Sequence, residues 1–229
     1  MPTYKQVITD FSKPAKRFLY IHIPRTAGRF LQMNHRHNGF ELDNVLMLPP
    51  KGLELNHLHT ELYEKYYDVS NIPHITVVRN PIDRFISCSI FLIRMYGDDI
   101  QDMMEDPMMF SSMIQNFPLD QGINWFRPQM DFITSETNIW KFEDGFGKDF
   151  DEWISDLLGV EYEVRDVKYQ KVTTDETKKL EKSAKLIDNI KSLYRQDIEH
   201  LYPELATPFE EGTQTDLKTA STAICESTS

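Results

Sequence analysis

The chain has 229 residues, 40% of them hydrophobic, which suits one globular domain with a sizeable core. Its 36 acidic against 25 basic residues leave a net charge of −11, which argues against a general binder of nucleic acid or anionic membranes. The two cysteines, Cys88 and Cys225, indicate neither a disulfide framework nor a cysteine metal site, so a reducing compartment and no metal are expected.

In chain order, the opening MPTYKQVITD lacks the apolar core of a signal peptide. The longest apolar run, near 85–93, is broken by Ser87 and Ser89 and is too short to span a bilayer, so a cytoplasmic protein without a membrane span is expected. The first predicted strand, 18–23, stops at Pro24, and Arg25, Thr26, Ala27 and Gly28 form a turn that opens a helix from about Arg29. Helix N-termini present free N–H groups and the positive end of a dipole, so an anion fits there. The second strand, near 73–79, runs into Arg79, Asn80 and Pro81, with Pro81 placed to start a helix that carries Arg84 and Ser87 three residues apart on one face. Two basic turns at strand ends predict a ligand with phosphate at both ends.

Between 40 and 71 lies a less regular stretch with Pro49, Pro50 and Gly52 and the cluster Asn56, His57, Leu58, His59, Thr60, read as loop and short helix. A third strand is predicted at 138–142. Leu180, Ile187, Tyr194 and Leu201 recur every seven residues from Thr174 until Pro203, predicting one long amphipathic helix with a capping box from Thr173 to Glu176. Residues 1–209 are read as a single domain, and the Thr-, Ser- and Glu-rich tail 210–229 as disordered. Alternating strands and helices define an α/β fold with a parallel sheet, whose ligands sit beyond the carboxyl ends of the strands.

The pairing of PRTAGRF after one strand with VVRNPIDRFISCS after the next resembles the sulfotransferase superfamily that uses 3′-phosphoadenosine 5′-phosphosulfate, PAPS. That family has a Pro-Lys-Thr-x-Gly type loop for the 5′-phosphosulfate and an Arg-(Asn/Asp)-Pro-x-x-Arg-x-x-Ser segment for the 3′-phosphate, and Arg79, Pro81, Arg84 and Ser87 match the second position by position. The order of motifs is similar to the carbohydrate branch, which includes heparan sulfate 2-O-sulfotransferases. Three later pieces are alike as well: Phe126 to Gln129, Lys141 to Asp144, and Lys171 to Thr174. Over residues 17–203 the resemblance implies a P-loop-like three-layer fold, with a central, mostly parallel sheet flanked by helices.

It also implies an activity, the transfer of a sulfuryl group from PAPS to an acceptor hydroxyl, on a carbohydrate in this branch, with 3′-phosphoadenosine 5′-phosphate (PAP) as product and no metal. Arg25, Thr26, Ala27, Gly28, Arg29 and Phe30 would hold the 5′ end, and Arg79, Arg84 and Ser87 the 3′-phosphate, with Lys171 as a further donor-binding position. The acceptor needs a base, and His57 or His59 supplies one. Asn56-His57-Leu58 is the more similar to the branch's Gly-His-apolar context, so His57 is preferred. The loop departs from the family in two places, with Arg25 where Lys is usual and Arg29 where a small hydroxyl residue is usual.

Two other readings stay open at this point. A P-loop kinase or nucleotide hydrolase would need a G-x-x-x-x-G-K-[ST] loop, and the first motif lacks its second glycine and its lysine. A non-catalytic nucleotide-binding or scaffold protein of the same fold is the other, suggested by Arg25. The acidic chain suits a small or neutral glycan, a lipid or a metabolite better than a long polyanion. His22 reads as a strand-face residue, His35, Arg36 and His37 as a solvated helix end, Trp125, Phe126 and the methionines of 103–113 as packing, and Cys88 as a small buried residue.

Overall fold

A computed structural model describes residues 3–7, 14–42, 57–60, 69–96, 124–165 and 184–206. Five strands, β1 (Thr3–Gln6), β2 (Arg17–Ile21), β3 (Phe40–Leu42), β4 (His74–Val78) and β5 (Thr137–Lys141), form one sheet in the order β3-β1-β2-β4-β5. The predicted strands are present to within a residue or two, and helix α1 (Gly28–His37) follows β2 as the sequence predicts. It ends at Gly39, whose φ of 76° suits glycine and whose N–H reaches the Arg36 carbonyl at 3.1 Å, closing the helix before β3 begins.

The sheet is mixed rather than mostly parallel. β2 pairs with β4 and β4 with β5 in parallel, while β1 pairs antiparallel with both β2 and β3. The antiparallel half comes from two short strands that carry no clear alternation in sequence. Register is fixed by the alternation of β2, in which Phe18 and Tyr20 pack with Leu31 of α1 while Leu19 and Ile21 pack with Leu58 and Leu201 on the other side. Helix α3 (Lys148–Leu158) joins α1 on the first face through Phe150, Ile154 and Leu158. Helices therefore cover both faces, an α/β arrangement.

Helix α2 (Pro81–Tyr96) follows β4 and packs Phe85, Ile86 and Cys88 against Leu186, Ile190 and Tyr194. The described part of the predicted long helix, 184–201, forms two helices, α4 (Ala184–Leu193) and α5 (Arg195–Leu201), joined at Tyr194. Its ring is buried among Phe85 and Phe126 and its hydroxyl donates to the Phe126 carbonyl at 2.8 Å, an anchor that the seven-residue repeat does not reveal. The capping box, the methionine run, the tail and Lys171 lie outside the described residues. No described helix is long and apolar enough to cross a membrane.

Candidate functional site

The two basic turns meet. β2 and β4 are parallel neighbours, with Ile21 beside Thr76, and the Thr76 hydroxyl donates to the Ile21 carbonyl at 2.8 Å, so the loops that follow emerge side by side. Arg25 Nε donates to Ser87 Oγ at 3.0 Å, joining the first turn to the second helix. Arg79 Nη1 lies 3.4 Å from the Arg25 carbonyl. Each guanidinium also rests on an aromatic face, Arg25 at 5.5 Å from Phe91 and Arg79 at 4.7 Å from Phe142. Among the described residues neither cation has a carboxylate partner within 4.0 Å, and the buried Arg79 Nε has no hydrogen-bond partner. Half-buried paired cations of this kind attract an anion.

The first loop adds backbone donors. Arg25 and Ala27 both adopt left-handed φ, 67° and 70°, and such turns aim successive N–H groups at one side. Ala27 caps α1 without any side-chain acceptor, so the N–H groups of Gly28, Arg29 and Phe30 are left for a ligand. Arg29 stands exposed on that first turn, and Phe30 is half-buried with its ring 5.1 Å from Phe146. Thr26 behaves differently from expectation. It is fully buried and its hydroxyl donates to the Ile23 carbonyl at 2.8 Å, so it tightens the turn and leaves no side-chain donor at the surface.

The second grip is not a helix terminus. Asn80 Oδ1 accepts from the N–H groups of Ile82 and Asp83 at 3.0 and 3.4 Å, which caps α2 from within, and Pro81 has no N–H to offer. Arg79 and Ser87 are what remain for an anion. Arg84, expected beside them, is fully buried, with Nη1 and Nη2 donating to the carbonyls of Trp125 and Arg127 at 3.1 and 2.6 Å and its guanidinium over Tyr194. No solvent-facing surface is left on it, so it braces α2 against the 125–127 segment.

Three residues to which the sequence reading assigned no role hold the second basic turn in place. Gln129 exchanges two hydrogen bonds with its backbone, Asp197 accepts from the N–H groups of Gln129 and Met130 at 2.9 Å each, and Glu143 accepts from Asn80 N–H at 2.7 Å and the Tyr202 hydroxyl at 2.9 Å. Burial raises the Asp197 carboxyl pKa, while nearby Arg84 and the N–H donors oppose that rise. Gln129 and Glu143 lay inside stretches already singled out by resemblance, but nothing in the pattern ranked them above their neighbours.

His57 and His59 are both buried. His57 is the one brought to the loop, with its ring 4.6 Å from that of His22 and edge-on to Trp125 at 5.9 Å. His59 lies beyond Leu58, which packs against Leu19 and Ile21. Trp125 in turn stacks on Phe91 at 4.4 Å, so rings connect the Arg25 side of the loop to the His57 side. Cys88 is buried beside this array, its thiol pushed up to about 11 by burial while Arg84, Arg25 and Arg79 pull the other way. His22 is not a plain strand-face residue: β2 has ended at Ile21, and its ring packs at the loop. His35 likewise departs from the expected solvated helix end. It lies one turn after Leu31 on the sheet-facing side of α1 and is buried among Tyr4, Phe18 and Tyr20, whereas Arg36 and His37 are exposed.

No protein-family model matches the chain, and no match to it exists among curated proteins or solved structures. Among the described residues no group of three or more His, Cys, Asp or Glu side chains could hold a metal ion.

Proposed function

We propose that this protein is a sulfotransferase that moves a sulfuryl group from PAPS to a hydroxyl, of a carbohydrate in the branch it resembles. The observation that carries the reading is the meeting of Arg25, Ser87 and Arg79 at the carboxyl ends of two adjacent parallel strands, two guanidinium groups without a described carboxylate partner. The P-loop-like classification belongs to the same proposal.

In this reading the Gly28, Arg29 and Phe30 N–H groups and Arg25 take the 5′ end of the donor, and Arg79 with Ser87 takes the 3′-phosphate. Charge-assisted hydrogen bonds contribute about 1.5–3 kcal/mol each, enough for two of them to favour a nucleotide with a 3′-phosphate strongly over one without. The acceptor oxygen attacks sulfur in line, the bond from sulfur to the bridging phosphate oxygen breaks, and PAP leaves. His57 takes the hydroxyl proton. Arg25 and the loop N–H groups stabilise the charge that develops on the leaving phosphate, a contribution of the kind worth about a hundredfold to a thousandfold in rate.

The test is calorimetric titration with PAP beside ADP and AMP, without metal, on the wild type and on Arg79→Ala. A clear preference for PAP that disappears in the variant supports the donor site. Equal or tighter ADP binding, or no binding of any of the three, overturns it and favours a kinase-like or scaffold protein.

A further inference from the structure

We propose that His22 is the positioning residue of this site: its ring, wedged between Gly28 and His57, sets the path of the anion loop and the orientation of the His57 imidazole beside it. Nothing in the motifs requires this role. The two contacts supply it.

The first is steric. A Cβ built on Gly28 would lie 1.6 Å from His22 Nε2 and 2.2 and 2.3 Å from its Cδ2 and Cε1, so one edge of the ring fills the space that any side chain at 28 would need. Gly28 is not among the residues with positive φ, whereas Ala27 beside it is, at 70°. Glycine therefore stands where the dihedral angle does not call for it, and alanine where it does. What position 28 requires is close approach of its backbone to an imidazole, and the ring acts as the floor on which the first turn of α1 rests.

The second contact is with His57, at 4.6 Å between ring centroids and 59° between planes. Tyr20 also stacks on His22 at 5.7 Å and 20°, so strand, loop and histidine all contact the ring. His22 is buried, and burial first, then the neighbouring His57 and Arg29, lower its pKa well below the ordinary histidine value. It therefore stays neutral, and a buried, neutral ring held on three sides gives His57 a fixed neighbour that does not compete for the acceptor's hydroxyl proton.

The activity arm of the test rests on the sulfotransferase reading, and two other arms do not. Gly28→Ala is expected to lower the melting temperature of the wild type and to cost no more than half as much in a His22→Ala background, because the ring it strikes is gone. An equal penalty in both backgrounds overturns the steric half. His22→Phe keeps a ring but removes its nitrogens, and with 15N-labelled histidine the His57 ring resonances are expected to move while those of exposed His200 stay. Unchanged His57 resonances overturn the orientation half.

With turnover measurable, His22→Phe should lower kcat by about tenfold to a hundredfold, as a displaced reacting group does, with PAP affinity within about threefold of wild type. The double variant His22→Phe/His57→Ala should be no slower than His57→Ala alone. Additive losses, or loss of PAP binding in His22→Phe, would overturn the positioning role. A wild type that binds no PAP and turns nothing over sinks the sulfotransferase reading, while the melting and resonance arms still decide the role of His22.

Discussion

Gln129 Nε2 donates to the Arg79 carbonyl at 2.8 Å while the Arg79 N–H donates back to Gln129 Oε1 at 2.9 Å, so one amide side chain satisfies both backbone groups at the end of β4. The guanidinium beyond is aimed by this clamp. Gln129 is itself fixed from α5, because Asp197 accepts its N–H.

Replacing Gln129 with Ala leaves a buried donor and acceptor without partners, a cost of about 1–3 kcal/mol in stability. PAP affinity should fall as well, though residue 129 does not face the ligand. Asp197→Asn should repeat both effects in weaker form. Denaturant unfolding and calorimetry on the two variants check this, and an affinity that survives a measurable loss of stability would separate Gln129 from the site.

Arg84 and Arg79 belong to the same motif but should respond in opposite ways. Arg84→Met strands two carbonyls in the core and should cost on the order of 3 kcal/mol in unfolding free energy. Arg79→Met loses a cation–π contact of roughly 0.5–1 kcal/mol and little else in stability, yet should abolish selectivity for PAP over ADP. Parallel melting and titration of both variants decide whether the division holds.

Protein stability should fall in mild acid because of His35. Burial moves its pKa from 6.5 down to about 3. Between those values the unfolded chain binds a proton and the folded one does not, so the contribution is complete above 6.5 and is lost as pH falls towards 3, amounting to about 2 kcal/mol by pH 5. His35→Phe removes this titration. It also frees the Tyr162 hydroxyl from its 2.9 Å contact with His35 Nδ1, so the variant should be less stable at pH 7 but show a flatter slope between pH 6 and 4. Urea midpoints across that range, compared with wild type, measure the difference.

Arg25→Lys tests the loop's departure from the family it resembles. Arg25 spends Nε on Ser87, which fixes the guanidinium sideways, whereas a lysine ammonium can follow the bridging oxygen as charge develops. Release of PAP from PAPS should quicken, by up to about a hundredfold. A variant as silent as the wild type would favour the binding-protein reading.

That the two basic turns share one sheet edge was legible from sequence, because each follows an apolar strand and adjacent parallel strands bring their carboxyl ends together, but the contact of Arg25 with Ser87, inside α2, was not. Burial of Arg84 and Thr26 was not. Motif spacing puts a residue on a segment but does not say whether its polar atoms meet a ligand or a carbonyl already present in the fold. His35 was misjudged for a related reason, since a histidine between exposed neighbours looks solvated until the helix is turned against Tyr4 and Phe18. The sheet's antiparallel half rests on strands of three and four residues, too short for alternation to register. The step at Tyr194 depends on a partner, the Phe126 carbonyl, that is 68 positions away in the chain.

Asp197 and Tyr202, reaching the second basic turn through Gln129 and Glu143, bear on the order in which the site comes into being. A ribosome delivers the Arg25 loop first, Arg79 next, and α5 more than a hundred residues later, at roughly 5–20 residues per second. Until α5 arrives, the Gln129 clamp that aims Arg79 lacks its Asp197 anchor. The nascent chain should therefore gain its affinity for anions late and in a single step, when α5 docks.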